Sequence, residues 1–310
     1  MNPIYQAALN GTLRSPTSGS TVSGVQVYNQ LPCAVQVYFV TSSGYRTYVG
    51  KINPNSNAPL SGTIAGDYYI ALLPQSGAFI SAFEITAGVT AYYVANTSLI
   101  DPNDIGTLPQ PTRTIVVPPN SPSVLVAIGT VPPTTPGQTV PSTASVVTRE
   151  QYWSLQGDSS SIVPGETRTT SFTVTSGKQE TSSDQATVSS SLGLSAGGGW
   201  GPVSASVSAS LNVSASLFQQ VTVTEQTSTY VSDVVTNNSQ NPILALRWQM
   251  ADVVTVYNSS GAPVSAVNSG SVVIVQAYDL SQLSDVAARP ALEHRIPAPS
   301  LGQAVATSNQ

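Results

Sequence analysis

From position 203 the chain alternates without a break. Val203, Ala205, Val207, Ala209, Leu211, Val213, Ala215 and Leu217 hold the odd positions, and Ser204, Ser206, Ser208, Ser210, Asn212, Ser214 and Ser216 the even ones. Successive side chains of a strand point to opposite faces, so a period of two predicts a β-strand with one apolar and one hydroxyl-rich face. At about 3.3 Å per residue the run spans about 50 Å, where a usual strand has about 5–6 residues. An upstream run matches it. Ala186, Val188, Leu192, Leu194 and Ala196 are even, and Thr187, Ser189, Ser191 and Ser195 fill most of the other face. Between them, Gly197-Gly198-Gly199-Trp200-Gly201-Pro202 supplies the φ > 0 positions of a reversal and a proline at the strand edge. A turn centred between Gly199 and Trp200 sets Ala196 opposite Val203, Leu194 opposite Ala205, Leu192 opposite Val207 and Val188 opposite Leu211, with Ser190 against Ala209 as the mismatch. The register that closes the turn also sorts the faces. Segment 185–224 is therefore expected to be a long amphipathic β-hairpin with Trp200 at its tip.

The same periodicity, interrupted by turn residues, predicts strands over 25–29, 34–41, 45–52, 67–73, 79–84 and 90–95, with 1–24 an arm or weak first strand. Ser42-Ser43-Gly44 reads as a hairpin turn, and 53–57 and Pro74-Gln75-Ser76-Gly77 as loops. Short strands at this spacing predict a β-sandwich. Ten prolines then crowd into 100–141; one apolar piece, 123–131, reads as a candidate strand and the rest as a stiff connector. Beyond it lie 144–156 (a strand or short helix end), 167–176 with Phe172 and Val174 on its even face, 218–235, 243–250, 252–257 and a buried-type strand at 272–278. Residues 258–263 read as a turn, and a tail follows from about 286. The expected architecture is all-β: an N-terminal β-sandwich with its connector over 1–141, and an elongated antiparallel module carrying the hairpin over 142–310.

Charge sharpens the reading. Charged residues make up 8% of the 310-residue chain, against about 25% in typical domains, and none lies between 185 and 224. Lys178, Glu180 and Asp184 on one side and Glu225 on the other bracket the gap. Soluble exposed hairpins usually carry Lys or Glu against edge pairing. Three readings stay open: a transmembrane hairpin that closes a barrel with copies from other subunits, a soluble hairpin packed on a neighbouring sheet, and a repetitive assembling surface. A net charge of −5 without a basic block gives nucleic acid no electrostatic footing.

Catalytic chemistry finds no cluster to act in. One cysteine, Cys33, sits in an apolar strand context, which reads as a small buried hydrophobe. One histidine, His294, sits in the proline-rich tail. The expectation is no enzyme activity, no cofactor and no metal. The first five residues show no basic or apolar leader segment, so the protein is expected to be made soluble without a visible signal peptide and to act extracellularly at a target-cell membrane. Tyr28, Tyr38, Tyr45, Tyr48, Tyr68, Tyr69, Tyr92 and Tyr93 gather in the N-terminal part. Exposed, they form a face for a glycan or protein receptor; half-buried, they are ordinary sheet residues.

Two resemblances follow from these residues. Val25-Gln26-Val27-Tyr28-Asn29-Gln30-Leu31, Val35-Gln36-Val37-Tyr38-Phe39-Val40, Gly44-Tyr45-Arg46 and Val49-Gly50-Lys51-Ile52-Asn53-Pro54 loosely resemble the β-domain of the von Hippel–Lindau protein, which implies a small sandwich and no function. A Thr/Ser-rich strand at 167–176, a charge-free amphipathic hairpin and a second Thr/Ser-rich strand at 219–235 resemble, in that order, the pore-forming module of aerolysin-type β-pore-forming toxins, including the epsilon-toxin and mosquitocidal-toxin branch. This implies that 185–224 is an insertion hairpin, that the N-terminal domain binds a receptor, and that subunits form a homo-oligomeric ring on membrane lipid. The chain departs from the secreted toxins in its missing signal peptide and in having no obvious activation peptide other than the tail. The rival readings are a self-assembling structural β-protein (surface, filament or virion component) and a carbohydrate-binding module on a β-stalk.

Overall fold

The structure is a computed structural model and describes residues 2–95, 122–130, 144–156, 160–180, 211, 227–258, 260–268 and 273–279. The expected N-terminal arm or weak strand is instead opened by a short helix, α1 (Pro3–Leu9). Asn2 caps it, its Oδ1 accepting from the Ile4 N–H at 2.9 Å. Pro3 stands where a missing N–H costs nothing, and Ala7, Ala8 and Leu9 are good helix formers. Two turns are too few to display a helical period, so the cap was the only signal.

Seven strands follow: β1 (Gln26–Asn29), β2 (Val35–Val40), β3 (Arg46–Ile52), β4 (Ser56–Pro59), β5 (Tyr68–Leu72), β6 (Phe79–Glu84) and β7 (Ala91–Val94). Six fall where the alternation placed them. β4 replaces part of the expected loop at 53–57, because β1 offers it an antiparallel partner from Gln26↔Pro59 to Asn29↔Ser56. Pro59 is tolerated there because β4 is an edge strand. The 42–44 turn closes the β2–β3 hairpin with Gly44 at φ 88°, a conformation costly for any other residue.

The three-stranded sheet β4–β1–β7 packs over β2, β3, β5 and β6, and Val25, Val27, Val35, Val37, Tyr69, Ala71 and Ile80 fill the space between. β5 shows the sorting. Its Tyr69 and Ala71 enter this sandwich core, whereas Ile70 and Leu72 enter a second cluster on the opposite face with Ala8 and Leu9 of α1. Buried Asn29 pins one end of the sandwich. Its Nδ2 donates to the carbonyls of Cys33 (2.7 Å), Ile52 (3.2 Å) and Asn53 (2.9 Å), and its Oδ1 accepts from the Leu31 N–H (3.0 Å). Cys33 is a buried thiol in this core, and burial pushes its pKa up to about 11.

The remaining strands are β8 (Val124–Thr130), β9 (Ala144–Leu155), β10 (Ser160–Ile162), β11 (Thr167–Glu180), β12 (Thr227–Thr236), β13 (Ile243–Asn258), β14 (Pro263–Asn268) and β15 (Val273–Asp279). They extend the larger sheet in the order β12–β11–β14–β13–β9–β8–β6–β5–β2–β3, with β10 and β15 also on β13. The segments expected at 243–250 and 252–257 are one strand of 16 residues, since Ala251 continues it as a buried position. β10 and β14 were not expected; each is short and exists by pairing with β13. β15 was expected to be a buried-type strand, yet Val273–Gln276 are only half-buried, because β15 borders β13 at the margin of the sheet. The expected tail and residues 218–226 lie outside the described residues.

Residues from both sides of the proline-rich connector share cores. Leu125, Ile128 and Val146 join the sandwich cluster, and Trp153, Trp248 and Met250 join Ala8, Leu9, Ile70 and Phe79 in the second. Asn29→Ala leaves three carbonyls and one N–H without their side-chain partner. At about 1–3 kcal/mol per buried orphan, and allowing for relaxation, a loss of about 3 kcal/mol is expected in urea unfolding. Asn29→Asp is expected to give no rescue, because a carboxylate cannot donate to carbonyls.

Candidate functional site

Strands β11 and β12 form a two-stranded ribbon leading into the charge-free segment. They pair antiparallel from Thr167↔Thr236 to Ser176↔Thr227. On the other edge of β11, Gly177–Glu180 pair with Asn268–Ser265 of β14. On the odd face of β11, Thr169 and Thr173 stand opposite Val234 and Tyr230, which are 59% and 81% exposed. The even face turns inward at two places, where Val174 is buried and Val235 packs on Ile162, Ile243 and Ala245, while Arg168 and Val231 on the same face are exposed. β12 closes one end of the sheet and, among the described strands, pairs only with β11. Asp233 is the one charged side chain along it.

Of the residues assigned to the hairpin, only Leu211 lies among the described residues. Ala186, Val188, Leu192, Leu194, Ala196, Trp200, Val203, Ala205, Val207, Ala209, Val213, Ala215 and Leu217 lie outside them, as do Ser204, Ser206, Ser208, Ser210, Asn212, Ser214 and Ser216. Leu211 stands in a turn and not in the strand expected through it; it is fully buried, and its carbonyl accepts from Arg149 Nη1 of β9 at 3.4 Å. Arg149 holds Asp252 of β13 in a fork, Nε–Oδ1 2.8 Å and Nη2–Oδ2 2.6 Å, with Gln151 Nε2 adding a bond to Oδ2 at 3.1 Å. The cross-strand register explains the meeting: Gln151 faces Asp252, and Arg149 is the diagonal neighbour two residues along β9. The pair is nearly dry, with side chains 7% and 13% exposed. A planar fork suits such a buried pairing.

The opposite face of β9 carries a second buried acid. Glu150 Oε1 accepts from Ser76 (2.9 Å) and Thr148 (3.2 Å), Oε2 accepts from Ser123 (3.0 Å), and the Tyr257 hydroxyl also reaches the carboxylate. Ser76 belongs to the β5–β6 turn and Ser123 to the approach to β8, so this carboxyl joins the sandwich to the extended strands. Burial raises its pKa, and the four hydroxyls act against that shift. Burial also raises Tyr257, with the Glu150 charge adding to it.

Neither cluster was singled out in the sequence. The available signal was Arg149-Glu150 inside Val146–Trp153, where a charged pair interrupts an otherwise buried strand and so needs partners on both faces. Among the described residues no group of three or more His, Cys, Asp or Glu comes together to hold a metal ion.

The tyrosines divide. Tyr69 does not belong to an exposed face: it is buried between Phe39 and Phe83, because it falls on the inward parity of β5. Tyr92 is half-buried on Phe83, its hydroxyl oxygen accepting from the Thr86 N–H. Tyr68 donates to Glu84, and Tyr38 donates to Gln36 while meeting Tyr48 edge-on. Tyr45, Tyr48 and Tyr93 are 52%, 53% and 57% exposed. Tyr28 and Tyr93, register partners on β1 and β7, stack with centroids 5.1 Å apart.

No family model matches the chain, and no curated protein matches it. Among solved structures it is similar to the crystal structure of Cry35Ab1, with a TM-score of 0.39 at 14% identity over 80% of this chain and 75% of that one. An overlap that loose carries no reading of function.

Because the folded protein holds the Glu150 proton more tightly than the unfolded chain does, this group's stabilisation is complete below the ordinary glutamate range and is lost as pH rises through and above it. Its neighbours on that face are hydroxyls and Tyr152, while the Arg149 cation lies on the opposite face with Asp252. Between about pH 5 and 8 the wild type is therefore expected to lose more urea stability than Glu150→Gln. Parallel pH profiles for the two proteins refute this.

Proposed function

We propose that this chain is a non-enzymatic β-pore-forming protein. Residues 1–141 engage a target membrane, the module at 142–310 assembles copies into a ring, and segment 185–224 enters lipid as a hairpin. The observation that carries the reading is the register of the β11–β12 ribbon. Ser176 faces Thr227, an even position against an odd one. An even-to-odd register is the one required by a hairpin that carries the even apolar residues of 186–196 and the odd apolar residues of 203–217 on one face, and this supports the reading.

In the soluble state Leu211 is buried beside the Arg149–Asp252 fork, which fits a segment whose apolar side is stored against the body. The charge-poor edge of β12, with Tyr230 and Val234 exposed, fits pairing with another copy. A single hairpin leaves unpaired amides in hydrocarbon, so insertion requires copies to join into a closed barrel. Serine and asparagine then line a neutral lumen. The same edge fits the rival reading of a structural assembling β-protein, which predicts fibres without membrane leakage.

Dye release from liposomes separates the two. A lipid-facing charge near the midplane costs about 2–4 kcal/mol per subunit, so Val207→Arg is expected to fold and assemble but not release dye. Ser208→Asp is expected to release dye with increased cation preference. Equal leakage from Val207→Arg and wild type shows that this face never meets lipid. A disulfide tying position 211 to β9 is expected to block leakage until reductant is added; leakage from the oxidised form refutes storage against the body.

A further inference from the structure

The outward face of β4–β1–β7 is built from few residues, and every one is uncharged. Parity and register place Asn57, Tyr28 and Tyr93 in one row and Pro59, Gln26 and Ala91 in the next. Their neighbours Val27, Tyr92, Val94 and Ala58 turn inward to the sandwich core. β1 is central and β7 an edge strand, so Tyr28 covers one side of the Tyr93 ring and the other looks off the sheet edge. The ring is 57% exposed although it is held in place by the stack. Asn57 Nδ2 donates to Gln26 Oε1 at 3.1 Å, which fixes two planar amides beside the stack and leaves the other atom of each amide, Gln26 Nε2 and Asn57 Oδ1, outside that bond.

We propose that this face binds a neutral saccharide, the sugar extending the Tyr28–Tyr93 stack while its hydroxyls bond to the two amides. A pyranose ring presents a flat patch of C–H groups to an aromatic face and vicinal hydroxyls that both donate and accept. An amide offers the complementary donor and acceptor, whereas a charged side chain is not needed for a neutral ligand. Size decides against a protein partner. Four residues at about 3.3 Å by three strands at about 4.8 Å give a face of about 13 by 10 Å. That is the footprint of one to three sugar units, well short of the about 800 Å² per partner of a stable protein interface. The proposal rests on the reading of residues 1–141 as the targeting part, and it assigns that part its ligand class and its site.

The experiment uses the full chain and a panel of methyl glycosides of glucose, galactose, mannose, fucose, N-acetylglucosamine and N-acetylgalactosamine with their common disaccharides, read by saturation-transfer NMR and calorimetry. At least one is expected to bind. Tyr93→Ala is expected to weaken it about tenfold or more, and Gln26→Ala or Asn57→Ala by a smaller factor. Val163→Ala, at a similarly exposed apolar residue outside this face, is expected to change nothing. Tyr93 is a surface residue, so its loss leaves the core intact, and an unchanged Tm verifies this. No binding by any sugar overturns the proposal, as does binding that survives Tyr93→Ala. Cell attachment that resists glycosidases but is abolished by surface proteolysis also overturns it, in favour of a protein partner. The pore reading fails separately: sugar binding without dye release from liposomes bearing that sugar refutes the pore and leaves the platform standing.

Discussion

A strand covered on both faces has no side on which to leave a charge unpaired, and β9 and β13 are covered on both. Val146, Val147, Trp153, Trp248, Met250, Ala251 and Val253 are all buried, and the alternation spends both parities of each strand on packing. Arg149, Glu150 and Asp252 sit inside this layer, so the strands around them have to deliver partners. The β9–β13 register supplies the Arg149–Asp252 fork on one face. Hydroxyls from the β5–β6 turn and from the start of β8 supply the cage of Glu150 on the other. Removing Asp252 leaves Arg149 buried without that counter-ion, the expensive half of a broken ion pair, and removing the hydroxyls leaves a buried carboxyl without its hydrogen bonds. The position of the sandwich against the extended strands thus follows from satisfying three side chains as well as from packing apolar ones.

Asparagine does similar work where loops meet. Asn29 gathers three carbonyls at one end of the sandwich, and buried Asn237 does the same beyond β12, with Nδ2 donating to Ile162 and Asn241 and Oδ1 accepting from Ser239. Asn29 is the last residue of β1 and Asn237 follows the last residue of β12, where backbone acceptors lose their strand partners. In a chain with so few charges, amides and hydroxyls carry most of the polar pairing.

The sequence made the strands of the sandwich legible because period-two patterning and glycine turns act over a few residues. Ser42-Ser43-Gly44 and the 74–77 loop needed nothing from elsewhere. β4, β10 and β14 were not legible, since each is defined by a distant partner: β1 for the first and β13 for the other two. Helix α1 was missed because it is shorter than the window in which a helical period shows. The inward turn of Tyr69 was written in the parity of β5, but which parity faced the sandwich depended on the packing of β1 above it. The Arg149–Asp252 pair joins residues about a hundred positions apart, and no local pattern connects them.

The two edges of β11 have a mechanical consequence. One edge is bonded to β12 from Thr167 to Ser176, and the other to β14 from Gly177 to Glu180. β14 is in turn held by β13 through Val253–Tyr257. Among the described residues, a ladder of four pairs therefore joins β11 to the layer built on β9 and β13. The joint acts as a mechanical fuse, a weak link in series with a strong one: under a pull along β11 the short ladder gives before the long β9–β13 ladder does.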